Sequence, residues 1–435
     1  MNKLDRRQFL SSIAKPAAAA SVVLSNPALV ANTLKKIKHV TGDPKTIARD
    51  ESYWREIQQG YTADRGLINL NNGGVSPSPT VVQNALKRHL DFSNTSPAYS
   101  MWKILEPQKE TVRKRMARFF NCDTEEIALT RNASEGLQIC QNGFDLKPGD
   151  EVLTTTQDYG RMIATFKQRE CRDGIVMKQF KIPIPAENEN EIVRLFEKNI
   201  TPKTKVILMC HMINITGQIL PVKKVVRMAR KRNIPVIVDG AHTFAHFDFN
   251  LNDLDCDYYA TSLHKWLSAP FGTGMLYVRK NKIEDLWPMQ AAWSDDCAND
   301  DIRKFEEIGT HPCPNKIAIG DALTFHQGIG SKNKEERLIY LRDRWAKRLL
   351  KNDRIKLHTS LKPGKSCAIA TVEIEGIDTS AVAKELWDKY RIFVVAINHP
   401  EFTGCRVTPH VYTTIEEIDR FADAMENIAN NGIDS

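Results

Sequence analysis

Residues 236–278, VIVDGAHTFAHFDFNLNDLDCDYYATSLHKWLSAPFGTGMLYV, decide how the chain is read. An apolar strand, Val236–Val238, ends in Asp239 and runs into Gly240-Ala241-His242. A second strand-like run, Asp257–Ser262, delivers Ser262, His264 and Lys265, the last of them 26 residues beyond Asp239. A glycine-bearing turn over Pro270–Gly274 leads to the next apolar run. Apolar strands that end in polar residues are the pattern of a parallel sheet whose carboxyl edge carries chemistry. Two readings fit these residues. One is an amine and a facing carboxylate arranged for covalent cofactor chemistry; the other is a buried α/β crossover carrying a surface lysine.

Working outward, the 435 residues suffice for two domains, or a large domain with a smaller partner. A composition 42% hydrophobic and 26% charged is that of a globular protein. The formal charge of +8 is mild, and no dense basic run is interleaved with aromatics, so nucleic-acid binding is disfavoured. Nine cysteines lie scattered without Cys-x-x-Cys spacing, which indicates neither a zinc site nor a disulfide framework, and no metal is expected.

At the start of the chain, Arg6-Arg7-Gln8-Phe9-Leu10 precedes a modest apolar run from Ile13 to Ala31 that Lys15, Pro16 and Pro27 interrupt. Paired arginines, Phe-Leu and a weak apolar region resemble a twin-arginine export signal. Residues 1–31 are therefore read as a signal peptide, the twin-arginine translocase as a partner during export, and the periplasm as the destination. That route carries folded proteins, so buried thiols survive an oxidising compartment.

In chain order, the sequence predicts a helix over Pro44–Gln59, a short strand entering Asn71-Asn72-Gly73-Gly74, and a helix over Thr80–Asp91. A loop follows at Pro97–Met101, then a helix over Pro107–Phe120. The strand Glu126–Thr130 leads to Arg131-Asn132-Ala133-Ser134-Glu135-Gly136. A helix starting there presents free N–H groups and the Ser134 hydroxyl to an anion, and a simple N-cap reads equally well. Strand Glu151–Thr156 ends at Asp158-Tyr159-Gly160, and strand Val206–Met212 ends at Asn214-Ile215-Thr216-Gly217. From about 125 to 280, strands alternate with helices as in a mostly parallel sheet covered on both faces. After about 330 the pattern changes to helix, strand, helix, strand and helix, read as a small α+β domain. The expected division is 1–31 signal, 32–90 N-terminal arm and substrate loop, 91–330 large cofactor domain and 331–435 small C-terminal domain.

A lysine amine, a carboxylate for a ring nitrogen and short polar groups for a phosphate make up a pyridoxal phosphate site. The Arg131–Gly136 run, Asp158-Tyr159-Gly160, Asn214-x-x-Gly217, Asp239-Gly240-Ala241-His242, Ser262-x-His264-Lys265, Gly309-Thr310 and Arg406 together resemble the class V aminotransferase family. These are fold-type I pyridoxal phosphate enzymes, cysteine desulfurases and isopenicillin-N epimerase among them, and the likeness spans roughly Leu67 to Asn430. It implies an α/β fold and a set of roles. Lys265 joins the cofactor and shuttles the substrate α-proton, Asp239 keeps the pyridine nitrogen protonated, and Tyr159 lies on the ring. Asn214 and His242 stand near the phenolic oxygen. Ala133, Ser134, Ser262 and His264 hold the phosphate, joined by Thr310 of a neighbouring subunit in a homodimer. Arg406 takes the substrate carboxylate, and Asn72 and Gly73 border the substrate.

Tyr159 and Asn71-Asn72-Gly73 match the epimerase-like branch. The 381–404 stretch has no cysteine to serve a desulfurase, and Cys405 reads as a packed strand residue. The resemblance implies an amino acid or an amino-acid-derived peptide as substrate, with transamination, epimerisation and β-elimination all open. With the leader, it also resembles exported tailoring enzymes of peptide siderophores such as pyoverdine. A non-catalytic binding protein of the same fold is the reading from another class, against which the complete Asp239, Lys265 and Arg406 set stands.

Overall fold

A computed structural model describes residues 42–291 and 300–433; the expected signal peptide, 1–31, lies outside them. Thirteen strands are present among the described residues. They are β1 (Ile68–Asn69), β2 (Ile127–Ala128), β3 (Glu151–Thr155), β4 (Val176–Phe180), β5 (Thr204–Cys210), β6 (Val236–Asp239), β7 (Tyr258–Ser262), β8 (Gly274–Val278), β9 (Ile355–Leu357), β10 (Ala370–Ile374), β11 (Ile392–Phe393), β12 (Val395–His399) and β13 (Phe402–Val407).

Seven of them form one sheet in the order β2-β8-β7-β6-β5-β3-β4. The pairs from β7 to β4 are parallel, while β8 runs antiparallel to both its neighbours. Successive side chains divide between the faces, as strand geometry requires. Ile207, Met209, Val236, Val238 and Tyr259 enter one core, and Val206, Leu208, Ile237, Tyr258 and Ala260 the other. Helices Ala133–Gly143 and Gly160–Asp173 cover the second face, and Val222–Arg230 and Cys313–Ile329 contribute to the first. The fit is close at Gly136, where an added Cβ meets the Ala260 Cβ at 2.9 Å. After β3 the chain steps outward to β4 and returns to β5 on the other side. That reversal opens a crevice at the carboxyl edge, where open α/β sheets bind ligands.

The C-terminal body is an antiparallel sheet, β12-β13-β10-β9, whose own core includes residues of helices Ser331–Leu349, Thr379–Tyr390 and Ile415–Asn431. The segment expected to be an N-terminal arm joins it: β1 pairs in parallel with β11, and Asn71 bridges to Thr408. The helix expected over Pro44–Gln59 is two helices, Pro44–Ile47 and Glu51–Gln58. Asp50 separates them because its carboxylate accepts the Ser52 and Tyr53 amides as an N-cap. The loop expected at Pro97–Met101 is instead helical. Helix Pro97–Tyr99 runs into a wide π turn, Ser100–Leu105, and then into Glu106–Phe120, with Pro107 removing one N–H from the ladder.

Candidate active site

Strand register assembles the site. Asp239 pairs with Cys210 on one side and Ala260 on the other, so β5 and β6 end level and β7 runs two residues further, to Ser262. The buried Asp239 carboxylate accepts the Ala241 amide at 2.9 Å. Desolvation pushes its acid up to about 6, a rise the Lys265 ammonium opposes. Gly240 between them is obligatory, since a Cβ there lies 2.1 Å from the Tyr259 ring.

Lys265 follows β7 on a half-buried turn, and its Nζ lies 3.1 Å from His242 Nε2. Burial lowers its amine to about 8, with Arg406 acting in the same direction and Asp239 against it. His242 is buried and held well below the usual imidazole range, first by desolvation and then by Lys265, so the neutral ring accepts from the lysine. Its Nδ1 is buried without a partner. Behind this turn, Trp266 stacks with two histidines, His246 at 3.6 Å and His410 at 5.6 Å, with the rings nearly parallel. The His246 Nδ1–H donates to the His242 carbonyl at 2.7 Å and its Nε2 accepts the Ala368 amide at 2.9 Å. Buried Lys334 donates to the Trp266 carbonyl. The lysine turn is thereby fixed to both bodies of the protein.

The residues expected to cradle an anion lie at the same edge, and one of their amides is already engaged. The cap of helix Ala133–Gly143 is Asn132, whose side chain accepts the Glu135 amide at 2.8 Å. The Ala133 amide, expected to face the phosphate, donates to Ser262 Oγ at 3.0 Å. Ala133 therefore positions the Ser262 hydroxyl, which keeps its own proton to donate. Ser134 stays half-exposed at the helix start with its hydroxyl available. The His264 Nδ1–H donates to the Thr273 carbonyl at 3.0 Å, leaving Nε2 outward. Thr310 is exposed on a bend after Gly309 (φ 70°), and no hydrogen bond joins it to these residues.

Arg406, on β13, is buried. Its Nη1 donates to the Asn214 carbonyl at 3.1 Å and its Nη2 to Asn71 Oδ1 at 2.9 Å, while Nε is buried without a partner. Burial lowers it to about 10. Asn214 and Tyr159 line one cleft beside it. Gly217 shapes the Asn214 turn, because at φ 72° a Cβ lies 2.1 Å from the Ile369 carbonyl oxygen. Asn72, expected to border the substrate, is buried with its side chain engaged at both ends. Its Nδ2 donates to the Asn69 and Thr408 carbonyls, and its Oδ1 accepts from Tyr412 and Asn69. The Gly73 amide is likewise taken by Thr408 Oγ1 at 2.9 Å. Gly73 serves by its size, since a Cβ there meets Thr408 at 3.1 Å and His242 at 3.5 Å. The residue that reaches the site is Asn71, through Arg406.

Sequence reasoning also missed Asp158 as a positioning group. One carboxylate oxygen accepts from Thr154, from the Thr155 amide and from the Thr155 hydroxyl, and the other accepts the Cys210 amide, all at 2.7–2.8 Å. This staples β3 to β5 beneath Tyr159; the signal was an acid directly before the aromatic at a strand end.

The sequence model of the family described as "Aminotransferase class-V" matches residues 68–421. The chain belongs to the class V aminotransferase family. It is 28% identical over 393 residues to the isopenicillin N epimerase of Amycolatopsis lactamdurans, covering 86% of this chain and 98% of that protein. A probable cysteine desulfurase of Synechocystis is 24% identical over 83% of this chain and 90% of its own length. Among solved structures, a C-DES variant with glycine covalently linked to its PLP cofactor superposes with a TM-score of 0.75. The identity is 22%, over 84% of this chain and 98% of that one. The architecture is accordingly the α/β fold-type I arrangement, a mostly parallel sheet covered by helices.

The residues present fit pyridoxal phosphate. An amine, a buried acid facing the same crevice and an uncrowded helix start with the Ser134, Ser262 and His264 donors lie along one sheet edge. The partnerless His242 Nδ1 and Arg406 Nε are buried polar atoms of the kind a bound group satisfies.

Proposed function

We propose that this protein is a pyridoxal phosphate enzyme that moves the α-proton of an amino acid, or of an amino-acid unit within a peptide natural product. The cofactor is pyridoxal phosphate. Ser134, Ser262 and His264 would hold its phosphate, Asp239 its ring nitrogen, Asn214 its phenolic oxygen, Tyr159 its ring face and Lys265 its aldehyde carbon. When bound, it supplies an electron sink that acidifies the substrate α-carbon.

The protein's own contribution follows from the geometry. An amine lowered to about 8 carries a proton to and from carbon near neutral pH. His242, 3.1 Å away and neutral, holds that amine in place. Arg406 meets the substrate carboxylate with a guanidinium that has no carboxylate partner among the described residues, and Asn71 and Asn214 orient it. The Lys265–His242 contact beside a buried Asp239 is the observation that carries this reading.

Epimerisation and transamination differ in where the proton returns. The likeness to an isopenicillin N epimerase supports return to the same carbon. Amino acids and short peptides incubated in D2O separate the outcomes: retained amine with α-deuterium and inverted configuration is epimerisation, and a keto acid is transamination. Absence of a cofactor absorbance band, or a band unchanged in Lys265→Ala, would favour a non-catalytic binding protein.

The assembly we propose is a homodimer in which exposed Thr310 reaches the phosphate of its partner's site. Sedimentation of the purified protein as a monomer would refute it. The proposed location is the periplasm, reached by the twin-arginine route, on the strength of Arg6-Arg7 and the weak apolar run behind them. Unchanged fractionation of an Arg6→Lys/Arg7→Lys variant would exclude that route. Export together with the epimerase-like residues supports a peptide siderophore as substrate, and a siderophore precursor returned unaltered would count against it.

A further inference from the structure

A cleft adjoins the site at Tyr159 and Asn214 and runs from there along helix Gly160–Asp173. Its volume is about 410 Å³, and Tyr159, Ile163, Lys167, Gln179, Asn214 and His399 contribute to its walls. That volume lies in the range of sites for ligands larger than a single small amino acid. Ile163 and Lys167 share one face of helix Gly160–Asp173, four residues apart, so the wall climbs away from Tyr159 along the helix. From Gly160 to Lys167 the rise is roughly 10 Å at about 1.5 Å per residue.

The carboxylates along this corridor are engaged by neighbouring donors, whereas its one lysine is not. Asp158 contributes to the lining, and both its oxygens are engaged by Thr154, Thr155 and the Cys210 amide. The neighbouring Glu401 accepts from the Thr156 hydroxyl and from Gln157 Nε2. His399 is engaged at both ring nitrogens, Nε2 with the Thr156 carbonyl at 3.0 Å and Nδ1 with the Glu401 amide at 3.2 Å. Gln179 donates to the Thr155 carbonyl at 3.2 Å. Lys167 is exposed, and among the described residues no carboxylate pairs with it.

We infer that this cleft is a second substrate subsite, in which Lys167 receives an anionic group on the far end of the substrate. Arg406 donates to the carbonyl of Asn214, itself a lining residue, so the α-carboxylate position and the corridor adjoin. The substrate class is an α-amino acid or short peptide that carries a second carboxylate. The inference rests on the reading proposed above and narrows it.

The test compares L-2-aminoadipate with its ω-amide on the cofactor-loaded protein. Binding is followed by calorimetry and α-proton exchange by NMR in D2O. The wild-type protein is expected to prefer the diacid by about fivefold in both measurements, the upper end for an exposed ion pair. Lys167→Met removes that preference, Lys167→Glu reverses it, and Lys167→Arg restores it. Equal preference in wild type and all three variants overturns the subsite. Calorimetric preference that follows residue 167 without any α-proton exchange upholds the subsite and refutes the proposed reaction instead.

Discussion

Replacing Lys334 by methionine turns the buried support of the catalytic turn into a measurable pH dependence. Lys334 is 2% exposed and donates to the carbonyl of Trp266, the residue after Lys265. Desolvation lowers its ammonium from 10.5 to about 7. Because the folded value is depressed, the unfolded chain holds one more proton between those limits. The lysine's contribution is thus complete above about pH 10.5 and is lost as pH falls towards 7. One proton corresponds to about 1.4 kcal/mol per pH unit, so stability rises by roughly 2–3 kcal/mol from pH 7.5 to 9.5 on this account alone.

Methionine fills similar space without the titration and leaves the Trp266 carbonyl unpaired, a pH-independent cost of about 1–3 kcal/mol. Urea unfolding of wild type and Lys334→Met at pH 7.5, 8.5 and 9.5 gives the difference between them, from which the titration of shared groups cancels. The wild type should gain on the variant by roughly 2–3 kcal/mol across that range. A difference that stays constant with pH would show that Lys334 is not held neutral, and the reasoning would fail.

Arg406→Lys replaces an oriented fork with a single point charge, and the loss of charged hydrogen bonds worth about 1.5–3 kcal/mol should raise KM for carboxylate substrates roughly 10- to 150-fold. Amine substrates without the α-carboxylate are the control. Asp158→Asn turns amide protons toward donors that now meet a carboxylate, so the thermal midpoint should fall, by an amount corresponding to about 2–4 kcal/mol in chemical denaturation. Cys405→Ala should retain α-proton exchange, since this thiol is 1% exposed, pushed up to about 12 by burial, and turned to the Thr379 carbonyl at 3.9 Å. Loss of exchange in a folded Cys405→Ala protein would reinstate the desulfurase-like reading.

Asp239 and Lys265 were legible in the sequence because one ends an apolar strand and the other follows the next strand by three residues, where the chain itself aims side chains at the sheet edge. The large sheet was legible for the same reason. β4 was not, because an edge strand with mostly uncovered side chains, VMKQF, carries no apolar signature. β1 and β11 are two residues each, too short for any periodicity. The Asn71-Asn72 pair marked a special turn without saying which amide reaches the site and which is consumed holding the turn. That distinction is made by Thr408 and Tyr412, far away in the chain. The His246-Trp266-His410 stack is likewise a product of packing between bodies, and nothing local announces it.

The bond from Arg406 to Asn71 spans 335 residues, and it has a consequence for how the protein is made. A nascent chain emerges amino end first, so Asn71 and β1 leave the ribosome long before the strands they pair with have been synthesised. Closing a loop of that length costs roughly 5 kcal/mol of chain entropy, which local contacts near residue 71 cannot recover. The seven-stranded sheet has all its strands once residue 278 is out, whereas the carboxylate-binding corner waits for the last thirty residues or so. A chain truncated before β13 could keep the lysine and the sheet that carries it, yet would lack the arginine that recognises a substrate.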